Sequence, residues 1–439
     1  MACDAPHALA PPALAARARP AGGFLFLRES TMALSRLLEA LLACTAVSAS
    51  RYADKAAQGE PSGCLADDAD ACGAAVACAR FAPWSAPHFG CLRRELLLDS
   101  GEPRPGARYV VMRQAGFGMA NSIRGSVNGG VLIAAATSRR LALDWPDLER
   151  NFAAAPPLRL AFDRAPEPGE WWLDARNTTF WTETAVGKVE GVEDVYLDRL
   201  RGPSSPTFAI SSSGGTSLPG SDATRACAAR LFGAACAARR ACLAGALSRL
   251  VLDAPSPRLA RAVAAVDDAS GPADVVVGLH LRSWTPSVEG EEHPSRPPLD
   301  VWGAGFFDCA ARALEGVRET RPGAAIRIYL ATDERAFREN ATKRLGAYGA
   351  VAYADPAMQV THTRQWHKRG STMRTESGGD TAVLDFYYPG AKAHVFVGTR
   401  ASTFSDGIIE RGCLNNLETY WQYDSKMACK RSACDPFPG

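Results

Sequence analysis

The sequence 275-VVVGLHLRSW-284 contains the residues that decide how the rest of the chain is organised. Its valine-rich start is typical of a buried strand in a parallel sheet. The same stretch carries His280 and Arg282, where a strand of the core would keep Val or Ile. Alternate residues of a strand project to one face, so the imidazole and the guanidinium lie together. The sequence therefore predicts a core strand whose carboxyl end carries polar side chains.

Strands and helices alternate after this stretch, which predicts a doubly wound α/β domain. The further predicted strands are Ala324–Asp333, Ala350–Ala354 and His394–Thr399, and the predicted helices are Pro298–Thr320, Glu334–Gly349 and Asp380–Ala393. One more short helix follows the last strand.

A second α/β region precedes this domain. A strand at Ala107–Gln114, a Gly-containing turn, a helix and a strand at Leu141–Trp145 form a βαβ unit, which requires a parallel sheet. Residues 224–266 have a helical composition, and Ser256-Pro257 marks a helix start. The expected organisation is a signal, targeting or disordered segment (1–50), a Cys-containing stem or cap (51–106), an N-terminal Rossmann-like acceptor domain with a helical linker (107–270), a C-terminal Rossmann-like donor domain (271–412) and a Cys-containing tail (413–439).

Composition and charge exclude some classes of protein. Hydrophobic residues make up 47% of the 439 residues, enough for a sizeable core. The formal net charge is only +2, whereas a nucleic-acid-binding protein normally has a concentrated basic excess. We therefore expect no nucleic-acid partner.

The cysteines and the N-terminus bear on the cellular compartment. Thirteen cysteines, several of them clustered near the two ends, favour disulfides formed in an oxidising compartment. Zinc ligands and free buried thiols are the alternatives, although no CxxC pair occurs. Residues 32–49 combine Arg36, a Leu/Ala-rich run and small residues at 47–49, as in a signal peptide. We expect the secretory pathway (Golgi or endoplasmic reticulum lumen), with a cleaved signal and a membrane anchor both open.

The position of His280 and Arg282 indicates a ligand site. In doubly wound sheets, ligands bind at the carboxyl ends of the strands. Burying a guanidinium without an anionic partner is costly, and a phosphate offers it two acceptors. The alternative is an internal Arg–carboxylate pair beside a structural histidine.

A second signal is the stretch 398-GTRASTFSDG-407, a strand that runs into a hydroxyl-rich turn and then a helix. Free backbone N–H groups and the helix dipole at such a turn attract anions. Ser402, Thr403 and Ser405 add hydroxyl donors. An ordinary Ser/Thr helix cap is the alternative interpretation.

Other motifs narrow the chemistry. The stretch 116-GFGMANS-122 lacks the full GxGxxG pattern, which argues against a nicotinamide-dependent enzyme. No GxxxxGK[ST] loop occurs, and no Asp-x-Asp sits at a strand end, so a phosphate site would rely on Arg and backbone dipoles with no metal. Asp333 ends a predicted strand, and Asp385 lies on the helix before the hydroxyl-rich turn. Either carboxylate could accept hydrogen bonds from a base or a ribose, and the alternative for both is a helix cap or a solvated charge.

Four segments in the same order resemble the GDP-fucose-dependent fucosyltransferases, the group with plant, rhizobial, α1,6- and protein O-fucosyltransferases. They are GMANSIRGSVNGGVLIAAATSRRLALDW (118–145), VVGLHLRSW (276–284), IYLATDE (328–334) and VLDFYYPGAKAHVFVGTRASTFS (383–405). The resemblance spans residues 107–411. It implies an α/β fold of the GT-B type, with two Rossmann-like doubly wound domains facing a cleft.

The resemblance also implies residue roles and a reaction. Arg282 would hold the β-phosphate of GDP-fucose, with His280 orienting the site. The donor would also contact Ser402, Thr403, Phe404, Ser405, Asp385 and Asp333, while Gly118, Asn121 and Asp144 would lie on the sugar and acceptor side. The chain would be an inverting fucosyltransferase that transfers to a hydroxyl of a glycan or protein acceptor and needs no metal or other cofactor. The alternatives are a non-catalytic nucleotide-sugar- or glycan-binding protein and a transferase that uses another nucleotide sugar.

Overall fold

The fold comes from a computed structural model of the chain. It describes residues 72–97, 109–114, 119–152, 158–161, 171–174, 178–182, 207–212, 222–282, 299–354, 376–424 and 426–434. All of them belong to one compact unit, Asp68–Gly439. The predicted targeting segment (1–50) and most of the middle region (146–222) lie outside the described residues.

The first sheet has four parallel strands and confirms the predicted βαβ unit. Its strands are β1 (Tyr109–Gln114), β2 (Arg140–Asp144), β5 (Thr178–Thr182) and β6 (Thr207–Ser212), in the spatial order β2-β1-β6-β5. A separate parallel pair consists of β3 (Leu158–Ala161) and β4 (Trp171–Asp174). Residues 119–136 of the connection from β1 to β2 are helical.

The helices of this half cover the sheet and fill the linker. They are α1 (Gly73–Cys78), α2 (Ala86–Leu96), α3 (Met119–Ser122), α4 (Asn128–Ala136), α5 (Pro146–Asn151), α6 (Asp222–Phe232), α7 (Ala234–Ala237), α8 (Arg240–Leu252) and α9 (Pro257–Ser270). A π-helical turn at Ile123–Val127 joins α3 to α4. Ser256 caps α9 as predicted, because its hydroxyl accepts a hydrogen bond from the backbone N–H of Leu259.

The second sheet has six strands, and the four predicted from the sequence are confirmed. They are β7 (Val275–Leu281), β8 (Ile326–Thr332), β9 (Ala350–Ala352) and β10 (Val395–Thr399), joined by β11 (Thr419–Tyr423) and β12 (Cys429–Ala433). The spatial order is β12-β11-β10-β7-β8-β9, with β12 antiparallel and the others parallel. The segment expected to be a C-terminal tail therefore supplies two strands of this sheet.

Helices cover both faces of the second sheet, as in a doubly wound domain. They are α10 (Leu299–Thr320), α11 (Arg335–Leu345), α12 (Glu376–Lys392) and α13 (Thr403–Gly412). Alternate residues of β7 belong to different cores: Val277 and Leu279 pack with α10 and α11, whereas Val276 packs in the core that contains α12 and α13. The α/β fold class predicted from the sequence is thus confirmed, with one parallel sheet and a second sheet that is parallel except for β12.

Five disulfides join the described cysteines, as the clustering of cysteines predicted. They are Cys72–Cys227, Cys78–Cys91, Cys236–Cys242, Cys309–Cys429 and Cys413–Cys434. Two of them connect distant parts of the chain: Cys72 fixes α1 to α6, and Cys429 fixes the C-terminal hairpin to α10. In the part of the chain that is described, no helix is long and apolar enough to cross a bilayer.

A glycine lets the two halves approach each other. A Cβ atom on Gly245, in α8, would lie 2.3 Å from the carbonyl oxygen of Glu410, in α13. That oxygen belongs to the backbone and has little freedom to move. Residue 245 therefore fixes how closely α13 packs on the helical linker.

We predict that Gly245→Ala lowers the free energy of unfolding by about 1–3 kcal/mol, because the added methyl group overpacks the α8–α13 contact. The matched control is Gly316→Ala in α10, where nothing lies within 4 Å of the added Cβ. That substitution should raise stability by about 0.5–1 kcal/mol through helix propensity. Urea unfolding measures both changes, and a stabilising Gly245→Ala would contradict the packing argument.

Candidate functional site

The site forms where β7 and β10 end side by side. The two strands are parallel neighbours, with His280 in register with Gly398. Residues that follow β7 and residues that follow β10 therefore meet at one edge of the sheet. The sequence stretches singled out for Arg282 and for the hydroxyl-rich turn are adjacent in space.

His280 links the end of β7 to the start of α13. Its Nδ1 atom lies 2.7 Å from the hydroxyl of Ser405, and its ring stacks on Phe404 at 4.6 Å between centroids. The side chain is buried. Burial, together with the nearby charge of Arg282, lowers the pKa of His280 to about 3. The imidazole is therefore neutral and acts as a structural link.

Gly398 allows the turn after β10 to lie this close. A Cβ atom on Gly398 would be 2.8 Å from the Ser405 hydroxyl oxygen and 2.6 Å from the Phe396 ring. Any larger residue would push α13 away from the sheet. In the same turn, Ala401 adopts a φ angle of 62°, a left-handed conformation that is unfavourable for a residue with a Cβ atom.

The backbone around Arg282 is fixed by three hydrogen bonds. The N–H of Arg282 donates to the Thr399 hydroxyl at 3.1 Å, and that hydroxyl donates to the His280 carbonyl, also at 3.1 Å. The indole N–H of Trp302 donates to the Arg282 carbonyl at 3.1 Å. The start of the segment after β7 is thus tied both to β10 and to α10.

The Arg282 side chain forms an ion pair with Asp333. Its Nη1 atom lies 3.1 Å from Oδ2 of Asp333, which follows the neighbouring strand β8. Both side chains are largely buried, at 15% and 8% exposure. The internal Arg–carboxylate pair that the sequence left open is therefore present. It places Asp333 against the guanidinium at the edge of the sheet.

The turn itself presents the N-terminus of α13. Ser402 precedes the helix but makes no side-chain capping bond, and it is buried together with Ser405. Thr403 and Phe404 are partly exposed. The N–H groups of a first helical turn have no partner within the helix, and the helix dipole makes this end favourable for an anion.

Asp385 lies deeper, beneath the neighbouring strand. It is buried on α12 and accepts a hydrogen bond of 2.7 Å from the hydroxyl of Tyr329 in β8. Tyr329 pairs with Gly278, two residues before His280, so the Tyr329 backbone lies about 6–7 Å behind His280 along the strand direction. Burial raises the pKa of Asp385 to about 7, opposed by the Tyr329 hydrogen bond and the charge of Arg338.

The structure brings together most of the predicted donor-side residues but does not describe the predicted acceptor side. Gly118 lies outside the described residues. Asn121 falls in α3 and Asp144 at the end of β2, but only their backbone is described. Their roles remain predictions. In the described ranges, no three His, Cys, Asp or Glu side chains are grouped to hold a metal ion.

Sequence reasoning missed Thr399, Tyr329 and Arg338. Tyr329 carries a readable signal, because Arg327 and Tyr329 alternate in β8 as His280 and Arg282 do around the end of β7. Thr399, the last residue of β10, resembles any strand-end threonine. Arg338 lies in the charged stretch ERAFREN (334–340), and nothing in that stretch distinguishes a buried arginine from a solvent-exposed one.

Arg124, a residue of the first half of the chain, binds two carboxylates of α13. Arg124, in the π-helical turn, donates to both carboxylate oxygens of Glu410, at 3.1 and 2.6 Å, and lies 3.4 Å from Asp406. Burial raises the pKa of Glu410 despite this guanidinium. The helix that carries the hydroxyl-rich turn is thus anchored to both halves of the chain.

No protein-family model matches the chain, and no curated protein shows significant sequence similarity to it. Solved structures of plant and rhizobial fucosyltransferases are similar in fold. A variant of Arabidopsis thaliana FUT1 in complex with GDP is 13% identical, with 83% of this chain and 81% of that chain covered and a TM-score of 0.48. For the Bradyrhizobium fucosyltransferase NodZ the corresponding values are 13%, 75%, 99% and 0.43.

A NodZ α-1,6-fucosyltransferase soaked with GDP-fucose is 12% identical, with 75% of this chain and all (100%) of that chain covered and a TM-score of 0.42. These proteins belong to the group whose motifs the sequence resembles. At such identities and TM-scores the similarity concerns the fold alone. The proposed function rests on the residues of this chain.

We predict that Ser405→Ala lowers the free energy of unfolding by about 1–3 kcal/mol, because it leaves a buried imidazole nitrogen without a partner. In a His280→Phe background the same substitution should be nearly neutral, since both polar partners are then absent. Chemical unfolding of the four proteins gives the coupling energy. Additive effects would show that the hydrogen bond does not connect β7 to α13.

The neutral state of His280 predicts a pH dependence of stability. Between pH 6.5 and 3 the unfolded chain binds a proton at this residue and the folded chain does not, so folding becomes less favourable as the pH falls. The difference in unfolding free energy between the wild type and His280→Phe should decrease by up to about 1.4 kcal/mol per pH unit below pH 6.5. Denaturant unfolding at pH 8, 6.5 and 5 measures it. A difference that is the same at all three values would mean that His280 titrates normally.

Proposed function

We propose that the chain is an inverting, metal-independent glycosyltransferase that transfers L-fucose from GDP-fucose to a hydroxyl group of a glycan or protein. The observation that carries the proposal is the junction of Arg282 with the N-terminus of α13. The two are joined through the Thr399 hydroxyl and the His280–Ser405 hydrogen bond. This junction supplies a guanidinium and unpaired helix N–H groups at one sheet edge, the groups that a diphosphate without a metal ion requires.

Asp333 keeps the charge of Arg282 balanced before the donor binds. A buried guanidinium needs an anionic partner, and the Asp333 carboxylate is that partner in this structure. A diphosphate carries more charge than one carboxylate and also interacts with the N-terminus of α13. We expect Arg282 to turn from Asp333 to the β-phosphate when the donor binds, and Asp333 to accept a hydrogen bond from the ribose.

The base would lie farther along the sheet edge, towards β8. Oδ1 of Asp385 already accepts a hydrogen bond from the Tyr329 hydroxyl. The other carboxylate oxygen can then accept from the N1–H and N2–H groups of guanine. Because burial raises the pKa of Asp385 to about 7, donor affinity would decrease as the pH falls below this value and the carboxylate takes up a proton.

The transfer follows from these positions. The acceptor hydroxyl attacks the anomeric carbon on the face opposite the GDP, the carbon–oxygen bond to the β-phosphate breaks, and its electron pair goes to the departing phosphate oxygen. Arg282 and the helix N–H groups stabilise the charge that develops there. His280, with a pKa of about 3, is not suited to accept the proton of the acceptor. Asp144 and Asp147 near the end of β2 are the candidates for that role.

The disulfides support a place in the secretory pathway. Disulfides form and persist in oxidising compartments and are rare in the cytosol. The five pairs described above fit the lumen of the endoplasmic reticulum or the Golgi, where glycan and protein acceptors occur.

Replacement of Arg282 tests the role of its charge. We predict that Arg282→Ala raises the barrier to transfer by at least ~3 kcal/mol, a loss of more than about 100-fold in kcat/KM, because the leaving diphosphate loses its charged donor. The control is Arg321→Ala, which removes a partly exposed ion pair with Glu418 and should leave the rate unchanged. GDP release from GDP-fucose with glycan or peptide acceptors is the measurement. If Arg282→Ala and Arg282→Lys both keep full turnover, the assigned site is wrong.

Comparison of nucleotides separates this proposal from its alternatives. GDP should raise the melting temperature of the wild type more than UDP or ADP does, because ligand binding stabilises the folded state. Stabilisation by UDP or ADP instead would indicate another nucleotide sugar. Stabilisation by GDP without GDP release from GDP-fucose, across the acceptors tested, would indicate a non-catalytic binding protein.

A further inference from the structure

Arg338 is a buried arginine with an unusual set of unused donors. It lies in the first turn of α11, five residues after Asp333, and its residue exposure is 5%. Its Nε and Nη2 atoms have no hydrogen-bond partner among the described residues. Other described arginines with a buried, unpartnered Nε include Arg327 and Arg411, but both of their terminal nitrogens are engaged.

The two unused atoms form one edge of the guanidinium. Nε–H and Nη2–H point the same way and make a planar fork that suits two adjacent acceptors. A buried hydrogen-bond donor without a partner is unfavourable, so two such donors on one edge of the guanidinium call for an explanation. The ring of Tyr353, which follows β9, lies 5.2 Å from the guanidinium carbon but accepts no conventional hydrogen bond.

The surroundings of Arg338 locate the fork within the proposed donor site. Arg338 lies in the helix that follows β8, the strand whose Tyr329 donates to Asp385, and its charge opposes the rise in pKa that burial causes at both Asp385 and Tyr329. It lies on the side of β8 and β9, whereas Arg282 and the turn at Thr403 lie on the side of β7 and β10. A nucleotide whose phosphates lie at α13 and whose base lies at Asp385, as proposed above, would have its base on the same side as Arg338.

Guanine offers the acceptors that this fork requires. Its O6 and N7 atoms are adjacent acceptors that arginine binds in a bidentate manner. Adenine presents an amino donor next to N7, and uracil has no equivalent of N7. The remaining donors of guanine, N1–H and the 2-amino group, face the opposite way and suit a carboxylate.

Resting on the proposed function, we propose that Arg338 is a specificity-determining residue of the donor site, whose Nε–Nη2 fork binds O6 and N7 of the guanine base. Asp385 then accepts hydrogen bonds from N1–H and the 2-amino group of the base, and Arg338 donates hydrogen bonds to O6 and N7. The fork is shielded in this structure, so a base that reaches it displaces part of that cover, including the Tyr353 ring.

The test compares GDP with two analogues by isothermal titration calorimetry on the full chain. In 7-deaza-GDP the N7 acceptor is lost, while IDP keeps O6 and N7 but lacks the 2-amino group. The wild type should bind 7-deaza-GDP roughly 5- to 10-fold more weakly than GDP, the value of one hydrogen bond. Arg338→Gln should bind GDP roughly 10- to 100-fold more weakly, bind 7-deaza-GDP no more weakly than GDP, and still discriminate against IDP.

The outcomes separate this inference from the proposed function. Equal binding of GDP and 7-deaza-GDP by the wild type overturns the inference and leaves the proposed function intact. Failure of the wild type to prefer GDP over UDP and ADP overturns both. Titration with pyrophosphate tests whether the fork binds phosphate instead of the base. If Arg338→Gln lowers the affinity for pyrophosphate as much as the affinity for GDP, the fork binds phosphate and the inference is wrong. If that variant fails to fold by circular dichroism, the wild-type comparison with 7-deaza-GDP decides alone.

Discussion

The hydrogen bond between His280 and Ser405 is the contact on which the site depends. It joins the end of β7 to the N-terminus of α13 and keeps Arg282 beside the hydroxyl-rich turn. The bond is possible only because Gly398 leaves room for Ser405. Since the imidazole is buried and neutral, it adds no charge of its own to the proposed anion site. Positive potential comes instead from Arg282 and from the helix end.

The second constraint acts on the other side of α13. The bidentate contact from Arg124 to Glu410 and the close packing at Gly245 hold the helix against the first half of the chain. A helix that is fixed at its N-terminus by the second sheet and along its length by the first half cannot shift without changing both. The predicted donor-side residues are therefore coupled to the half in which the acceptor residues are predicted.

Strands could be predicted from the sequence where their composition matches their burial in the fold. Val-rich strands such as β7 and β10 are buried on both faces, so their composition identifies them. β11 and β12 were not predicted because neither has a Val-rich apolar run: β11 (TYWQY) is only partly buried before Tyr423, and β12 (CKRSA) is partly buried or exposed. The disulfide between Cys72 and Cys227 could not be predicted, since the spacing of cysteines in the sequence does not show which distant ones are paired.

The same limit applies to the site. Alternation in β7 predicted that His280 and Arg282 act together, but not that Asp333 would neutralise the guanidinium. Asp385 was identified by its position before the turn, whereas its partner Tyr329 and the neighbouring Arg338 become visible only when β8, α11 and α12 are packed. Burial of a charged residue is a property of the fold and leaves little trace in a single sequence.

The most direct measurement for the whole account is a crystal structure of the chain with GDP, in which the partner of the Arg282 guanidinium is identified. We predict that in this complex Arg282 has left Asp333 and donates to the β-phosphate, with phosphate oxygens within hydrogen-bond distance of the N–H groups at Thr403 and Phe404. A nucleotide bound elsewhere, or an Arg282–Asp333 pair that persists with the diphosphate out of reach, would contradict it.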